Sequence, residues 1–283
     1  MKNLTIFKTE PGWKPDASDI HISQPGVMGN GWKILRNASP VIDVNGQLML
    51  VMETQEKLIP SSTVKNEVDQ RIAEFVKNTG DEVMAKGKKF RRDIKEQVIA
   101  SLYAKAFITS KYTGIWIDSK TGIMCIDTTS DSKIDDVLKS MYKNNFPTMK
   151  WVTTKYEAGS TMRKLLASED QSENGFSVGR SCELVAEGQQ SIRYKNVSLD
   201  TDEVRGHLLH GRRVKKLELT YQNKIVFTLH DNFRISSIKI LEEIQDAEEY
   251  ESEEAKFDAD FAIMTGMYSE LIGALIDALG GEQ

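Results

Sequence analysis

The chain has 283 residues, of which 40% are hydrophobic and 28% charged; this composition excludes bulk disorder, and the length predicts two or three subdomains. Its only cysteines, Cys125 and Cys182, are too few for a disulfide framework or a thiolate zinc site, and we expect both to be buried in a protein of a reducing compartment. The N-terminus lacks an apolar run long enough for a signal peptide, and Glu270 and Asp277 interrupt the apolar C-terminal stretch, which predicts a cytoplasmic protein with no membrane partner.

The net charge of −5 hides an uneven distribution along the chain. Between Glu242 and Asp260 ten acidic residues stand against one basic residue, so the rest of the chain carries +4. A protein with this pattern can bind a polyanion through a basic surface while its acidic surface repels the same ligand.

The first segment, residues 1–60, predicts an irregular region with short strands. Leu4–Phe7 and Leu48–Met52 are apolar runs typical of strands. The passage between them is rich in Gly, Pro and Asn, contains Trp13 and Trp32, and predicts no regular element.

Residues 61–113 predict a helical hairpin. The first helix has an apolar face between Val64 and Val76, candidate caps at Ser61 and Ser62, and an end near Gly80. We expect its charged connection to the second helix to be exposed.

The second helix of the hairpin, residues 86–107, carries the most informative pattern. Apolar residues recur every four residues from Ile94 to Ala106, while the first ten residues contain one acid, Asp93, among many cations. Cations at the start of a helix oppose its macrodipole and cost about 0.3–1 kcal/mol each, so helix stability does not explain them. A polyanionic ligand such as DNA does, and a solvated basic turn is the alternative. The candidate DNA-binding cations here are Lys86, Lys88, Lys89, Arg91, Arg92, Lys95 and Lys105.

Residues 114–170 predict an α+β unit made of a hairpin and a helix. Strands from Gly114 to Asp118 and from Gly122 to Asp127 flank a three-residue turn. Ser132 and Asp135 form a candidate capping box for the helix that follows.

Residues 171–241 predict a basic helix and an antiparallel meander. Ile192 and Tyr194 alternate with cations as on a half-exposed strand, and Asp200 and Glu203 form a candidate capping box for the next helix. Three apolar strands separated by turn residues follow. The second group of candidate DNA-binding cations is Arg193, Lys195, Arg212, Arg213 and Lys215.

The last segment, residues 242–283, predicts an acidic connector and an amphipathic helix. We expect the run Glu242–Glu254 to be a solvated helix or flexible connector on the outside of the molecule. Apolar residues at helical spacing from Phe261 to Leu279 predict a long helix that ends at Gly280 and Gly281.

The sequence predicts no catalytic residue, metal site or cofactor, because it contains no phosphate-binding glycine loop and no nucleophile motif. Asp258 and Asp260 could hold a divalent cation, but acids at the start of a helix more often cap it and complement its dipole. His207 and His210 lie three residues apart on a predicted helix with no third ligand close in the sequence.

Phe107, directly after the basic helix, has two interpretations. A large apolar residue is most often buried in the core. Because aromatic residues are also enriched at the centres of interfaces, Phe107 is the candidate anchor of a homodimer.

Four stretches together resemble the RdgC family of recombination-associated proteins, over the chain from about Trp32 to the C-terminus. The most specific is the terminal FDADFAIMTGMYSELIGALIDALGGE. The stretches are Glu56–Pro60, Trp116–Asp118, Val214–Leu217 and Phe257–Glu282.

The resemblance implies an α+β protein with antiparallel sheets, amphipathic helices and several subdomains that forms a ring-shaped homodimer at the nucleoid in the cytoplasm. It implies binding of double-stranded DNA without sequence preference, with single-stranded DNA left open, and restraint of the RecA recombinase through occupation of its DNA. It implies no catalysis and no cofactor. Family members carry cations at the positions of Lys88, Arg91, Lys95, Lys105, Arg193 and Lys195. Asn196 and Val197 stand where the family pattern has a basic and a polar residue at a finger-like tip.

Two other functions stay open on the residues alone. One is a metal-dependent nuclease that uses Asp258 and Asp260. The other is a protein-interaction scaffold whose charged surfaces bind protein partners.

Overall fold

A computed structural model describes residues 1–24, 26–241 and 250–283 and confirms the α+β class, with two antiparallel sheets and seven α-helices among these residues. The chain divides into two compact units. Unit 1 comprises Met1–Ile22, Trp32–Met52 and Thr113–Gln283, and unit 2 comprises Ser23–Gly31 and Glu53–Tyr112.

The first sheet has the strand order β2-β4-β5-β6-β1-β7, with β3 paired to β4. Its strands are β1 (Thr5–Lys8), β2 (Gly29–Trp32), β3 (Ile42–Val44), β4 (Gln47–Lys57), β5 (Ile108–Asp118), β6 (Ile123–Ile126) and β7 (Lys150–Trp151). A short 3-10 helix, Ala17–Asp19, precedes β2. The predicted hairpin is confirmed as β5 and β6, and Asp118 accepts hydrogen bonds from the backbone N–H groups of Lys120 and Thr121 in the turn.

Helix α4 (Asp131–Lys143) covers the core of the first sheet in unit 1. Its buried Ile134, Val137 and Met141 pack with Trp32 and Ile115 in one apolar cluster. The spacing of three and four residues between these helix residues explains the packing, since it places them on one face.

The second sheet belongs wholly to unit 1 and has the order β10-β9-β11-β12-β13, with β8 paired to β9. Its strands are β8 (Ser172–Glu173), β9 (Phe176–Val185), β10 (Ser191–Tyr194), β11 (Arg213–Tyr221), β12 (Ile225–His230) and β13 (Ile235–Ile240). The predicted meander is thus confirmed as β11, β12 and β13. Gln222 and Asn223, which join β11 to β12, both have positive φ, as a tight hairpin turn requires.

Three helices bury their apolar faces in the other large cluster of unit 1, which contains the inner face of the second sheet. They are α5 (Ala158–Ala167), α6 (Asp202–Leu209) and α7 (Glu253–Ala278). In α7, Tyr268 is buried, its ring packs 6.1 Å from that of Trp116, and its hydroxyl donates to the carbonyl of Met1 at 2.6 Å. By length and composition α7 is the one described helix able to cross a membrane, but its residues Phe261 and Leu271 are buried in this core.

Unit 2 contains the helical hairpin that the sequence predicts. Its helices are α1 (Ser61–Thr79), α2 (Glu82–Lys86) and α3 (Lys88–Lys105). Gly80 adopts the left-handed conformation that ends α1, as its position predicts. The short helix α2 in the charged connection was not predicted.

The three predicted caps are wrong by one or two residues. The N-cap of α1 is Pro60 and that of α4 is Ser130, and at neither position does a side chain form a capping hydrogen bond. Helix α6 is capped by Thr201, whose hydroxyl accepts from the backbone N–H of Val204, while Asp200 pairs with Arg205 instead. Residues with suitable side chains occur at several neighbouring positions, and only the backbone geometry decides among them.

Both cysteines are buried and unpaired, as predicted. Burial raises the pKa of the Cys182 thiol to about 12 and raises the pKa of the Cys125 thiol well above its usual value, so both behave as small apolar residues. Most of the predicted acidic connector, residues 242–249, lies outside the described residues.

Candidate nucleic-acid interface

The seven cations around α3 form the first candidate surface, which we call the α3 basic group: Lys86, Lys88, Lys89, Arg91, Arg92, Lys95 and Lys105. All seven are exposed in unit 2. The N-terminus of α3 follows the extended residue Gly87, has no side-chain cap and has no acid in its first turn. The free N–H groups and the cations therefore add to one positive potential at this end of the helix.

Acidic neighbours compensate this charge only in part. Arg91 lies 3.6 Å from Asp69, Arg92 pairs with Asp93 and Glu96 at 3.7 Å, and the ammonium of Lys86 is 3.2 Å from Glu82. All these pairs are solvent-exposed and contribute little, typically about 0–1 kcal/mol. Within the described ranges, no ion pair is formed by Lys88, Lys89, Lys95 or Lys105.

Helix α1 holds α3 in place, which gives the cations a rigid base. The rings of Phe75 and Phe90 pack 4.6 Å apart, and Arg71 donates to the hydroxyl of Ser101 at 3.1 Å. Val98, at the centre of the predicted apolar face, is completely buried.

The second candidate surface, the sheet-2 basic group, lies in unit 1 and consists of Arg193, Lys195, Arg212, Arg213 and Lys215. Strand β10 carries Arg193, opposite Glu183 of β9. On the other side of β9, Lys215 is an extra residue in β11, because Val214 pairs with Leu184 and Lys216 with Glu183. Such a bulge turns neighbouring side chains towards the same partner and here places two lysines opposite one acid.

Glu183 is the residue of this surface that sequence reasoning missed. Its side chain is only 8% exposed and forms an ion pair with Arg193. A terminal nitrogen of Arg193 donates a hydrogen bond to one carboxylate oxygen at 3.3 Å, and Nε lies 3.2 Å from the other oxygen. The ammonium of Lys215 lies 3.9 Å away. The signal was present in the sequence as one acid between the apolar residues Cys182 and Leu184.

Two open cavities flank Arg193. One, of about 230 Å³, is lined by Lys195 and Lys216 among others, and the other, of about 410 Å³, is lined by Arg213 and Lys215. Glu183 and Arg193 line both cavities. Each cavity therefore brings three cations around the shared carboxylate of Glu183, and the larger cavity is also lined by Asp231.

The tip beyond β10 contains one cation that the sequence analysis did not select. Asn196 has a φ of 56°, and the N–H of Val197 donates to the carbonyl of Arg180 at 3.1 Å. The exposed guanidinium of Arg180 donates back to the carbonyl of Asn196. A cation thus stands beside the tip, where Asn196 replaces the basic residue of the family pattern. Arg212, also in the predicted group, donates to the carbonyl of Gln190 at 3.2 Å.

Phe107 is 88% exposed, so its interpretation as a core residue is wrong. It follows α3 and precedes β5, and Tyr103 and Ile108 beside it in the sequence also expose large parts of their side chains. The hydroxyl of Tyr103 contacts the sulfur of the equally exposed Met28 at 3.2 Å. Unit 2 therefore presents apolar side chains near the C-terminal end of its basic helix.

The candidate metal ligands are not brought together. Asp258 lies within α7 and forms a bidentate pair with Arg36, at 2.8 and 3.1 Å, so it is neither a cap nor paired with Asp260. His207 lies 3.8 Å from Glu203, whereas His210 contacts the carbonyl of Gly206. The described residues contain no group of three or more His, Cys, Asp or Glu side chains that could hold a metal ion.

A half-buried histidine beside the sheet-2 basic group makes stability depend on pH. Burial, with the charges of Lys216 and Arg234, lowers the pKa of His230 to about 4, and its Nε2 lies 2.8 Å from the hydroxyl of Ser236. Its usual value is 6.5, so the unfolded chain takes up a proton below about pH 6.5 that the folded chain refuses until about pH 4. The contribution of His230 to the free energy of unfolding should thus be fully present above pH 6.5 and be lost as the pH falls towards 4. For this partly exposed group the loss amounts to ~1–2 kcal/mol.

We expect His230→Gln to flatten this part of the pH profile in urea unfolding. The exposed His210→Gln is the control. An unchanged slope between pH 6.5 and 4 in His230→Gln would show that other groups cause the dependence.

Comparison with known proteins identifies the family of this chain. The model of the family described as "Putative exonuclease, RdgC" matches residues 2–282. The chain belongs to the RdgC family. The recombination-associated protein RdgC of Dechloromonas aromatica is 31% identical over 302 aligned positions, which cover 100% of this chain and 98% of that protein. The RdgC proteins of Janthinobacterium sp. and Cupriavidus necator are each 30% identical, with 100% of this chain and 98% and 99% of theirs covered. The match to RdgC begins at residue 2, whereas the resemblance seen in the sequence begins at about Trp32.

Proposed function

We propose that this RdgC protein binds double-stranded DNA without sequence preference, acts as a ring-shaped homodimer and limits access of the RecA recombinase to DNA. The α3 basic group carries the proposal. Six exposed cations stand on α3, which packs against α1, and Lys86 at the end of α2 is the seventh. The uncapped N-terminus of α3 adds to their potential. The family's recombination-associated relatives support the biological setting.

The binding mechanism is electrostatic. Lysine and arginine neutralise phosphates and release condensed counterions, while contacts to phosphates carry no direct sequence information. If about six phosphates are neutralised, the slope of log affinity against log salt is about −5. Affinity is therefore high at low salt and nearly equal for unrelated duplexes.

The dimer supplies the second element of the proposal. Two copies joined through exposed apolar residues such as Phe107 would present two sets of basic groups to one duplex. A closed ring lined by these groups keeps DNA bound while it slides, and the occupied DNA is withheld from RecA. Such a protein is cytoplasmic and associated with the nucleoid.

The decisive experiment is a titration of labelled duplexes of different sequence across salt concentrations, with the oligomeric state measured by sedimentation in parallel. We expect a steep salt slope, equal affinities and a dimer. No DNA shift even at low salt, together with stable capture of another protein, would instead support a protein-interaction scaffold.

An exonuclease is the second candidate because the family model carries that word in its description. Against it, Asp258 is engaged by Arg36, and Asp260 is joined by no further described ligands. Incubation of end-labelled duplex with Mg²⁺ and protein should leave retarded but intact DNA. Shortened products that disappear in Asp260→Ala would establish the nuclease and refute a purely binding function.

A further inference from the structure

The best-organised charge cluster in the described part of unit 1 surrounds the buried carboxylate of Glu183. Arg193 reaches both carboxylate oxygens from β10, and Lys215 reaches one of them from the bulge of β11. The backbone N–H of Asp231 donates to the carbonyl of Lys215 at 2.9 Å, so the bulge is itself held by a hydrogen bond. The carboxylate lies beneath the cations, since Arg193 and Lys215 keep 62% and 49% of their side-chain surface exposed.

A buried acid in a DNA-binding surface needs an explanation. By charge alone it opposes phosphate binding, and burial of a carboxylate is costly unless it is paired. The pairing geometry offers another role, because a guanidinium that contacts both oxygens of a carboxylate, through one hydrogen bond and one ion-pair contact, has a restricted orientation and keeps its other N–H groups free for a second anion. A long side chain that is already ordered also loses less conformational freedom when it binds.

We propose that Glu183 is a positioning residue that holds Arg193 and Lys215 for two neighbouring phosphates, one in each cavity beside Arg193. The proposal rests on the proposed DNA-binding function and deepens it. Arg193 stands between the cavities, and Lys195 and Lys216 line one of them. Lys215 and Arg213 line the other together with Asp231, so its three cations outnumber its two acids, Glu183 and Asp231. Glu183 touches DNA in neither cavity and acts through the two cations it holds.

The two roles of Glu183 predict opposite signs for Glu183→Gln. The variant adds one unit of positive charge, so a purely electrostatic role predicts tighter DNA binding and a steeper salt slope. A positioning role predicts binding weaker by roughly three- to tenfold near 0.15 M salt, the factor expected when one long side chain must be ordered on binding. Fluorescence titration of a labelled duplex measures the difference.

Glu187→Gln is the matched control, since Glu187 is an exposed acid in the loop between β9 and β10. It removes the same charge without a described contact to the basic group and should leave affinity equal or slightly higher. Arg193→Lys provides a second test that leaves Glu183 itself and the net charge of the surface unchanged. It keeps the charge but loses the simultaneous contact of the guanidinium with both oxygens of Glu183. A positioning role therefore predicts weaker DNA binding, whereas a purely electrostatic role predicts unchanged DNA binding.

A double-variant cycle completes the test. In the Arg193→Gln background, Glu183→Gln should lose most of its effect on affinity, whereas an independent effect of the same size would refute the proposal. Wild-type protein that binds no DNA would refute the proposed function itself. Wild-type protein that binds, with Glu183→Gln equal or tighter, would refute only the role of Glu183.

Discussion

Replacement of Lys88, Arg91 and Arg92 by Glu should weaken duplex binding about a hundredfold at ~0.15 M salt, to the same extent for every sequence. Each phosphate contact contributes about 0.9 to the log-log salt slope, so the loss of three contacts reduces a slope of about −5 by ~2.7. At this salt concentration the smaller slope alone corresponds to a factor on the order of a hundred, and repulsion by the new acids adds to it.

The folded structure should survive this change. The three residues are exposed, and acids in the first turn of α3 complement the helix macrodipole that the cations oppose. The exposed pairs of Arg91 with Asp69 and of Arg92 with Asp93 and Glu96 are lost, but pairs of this kind stabilise little. Circular dichroism and the melting temperature should therefore be close to those of the wild type.

The triple replacement of Lys133, Lys139 and Lys143 by Glu is the control. These lysines are exposed on α4 in unit 1, outside both basic groups. Their replacement changes the net charge by the same amount as the α3 variant does. The control should bind DNA within a few-fold of the wild type. An unchanged salt slope in the α3 variant, or an equal loss in the control, would show that net charge rather than the α3 basic group determines affinity.

The fold follows from the sequence where its periodicity is strong. Residues at four-residue spacing identified α1, α3, α4 and α7, and alternating or continuous apolar runs with turn residues identified the meander from β11 to β13. These patterns are visible because burial of one face constrains the identity of every third or fourth residue. The length of β4 was underestimated, since it continues beyond Met52 into a stretch that is mostly half buried.

The parts that were missed depend on contacts distant in sequence or on a single backbone irregularity. The interactions of Glu183 are visible only in the folded structure, where β10 and the bulge of β11 bring Arg193 and Lys215 to it. Similarly, Asp258 resembles a helix-entrance acid in the sequence, but Arg36, 222 residues away, pairs with it. Phe107 shows the same limit, because composition favours burial of a phenylalanine and only the structure shows it exposed.

Phe107→Ser should move the protein from dimer to monomer in sedimentation experiments at micromolar concentration. A phenylalanine that is 88% exposed contributes almost nothing to the stability of the folded monomer, so its replacement by a polar residue should leave the monomer fold intact. Buried aromatic residues at the centre of an interface cost ~2–4 kcal/mol when truncated. The dissociation constant of the dimer should accordingly rise roughly thirty- to a thousandfold.

Tyr142→Ser is the control for this change, because Tyr142 is an 83% exposed aromatic residue on α4, in unit 1. It should sediment like the wild type, whereas Phe107→Ser should approach the monomer mass of 31.9 kDa. If the dimer is what places two sets of basic groups around one duplex, the Phe107 variant should also bind DNA with a shallower salt slope at equal protein concentration. A dimer that persists with an unchanged dissociation constant would place the contact between copies away from Phe107.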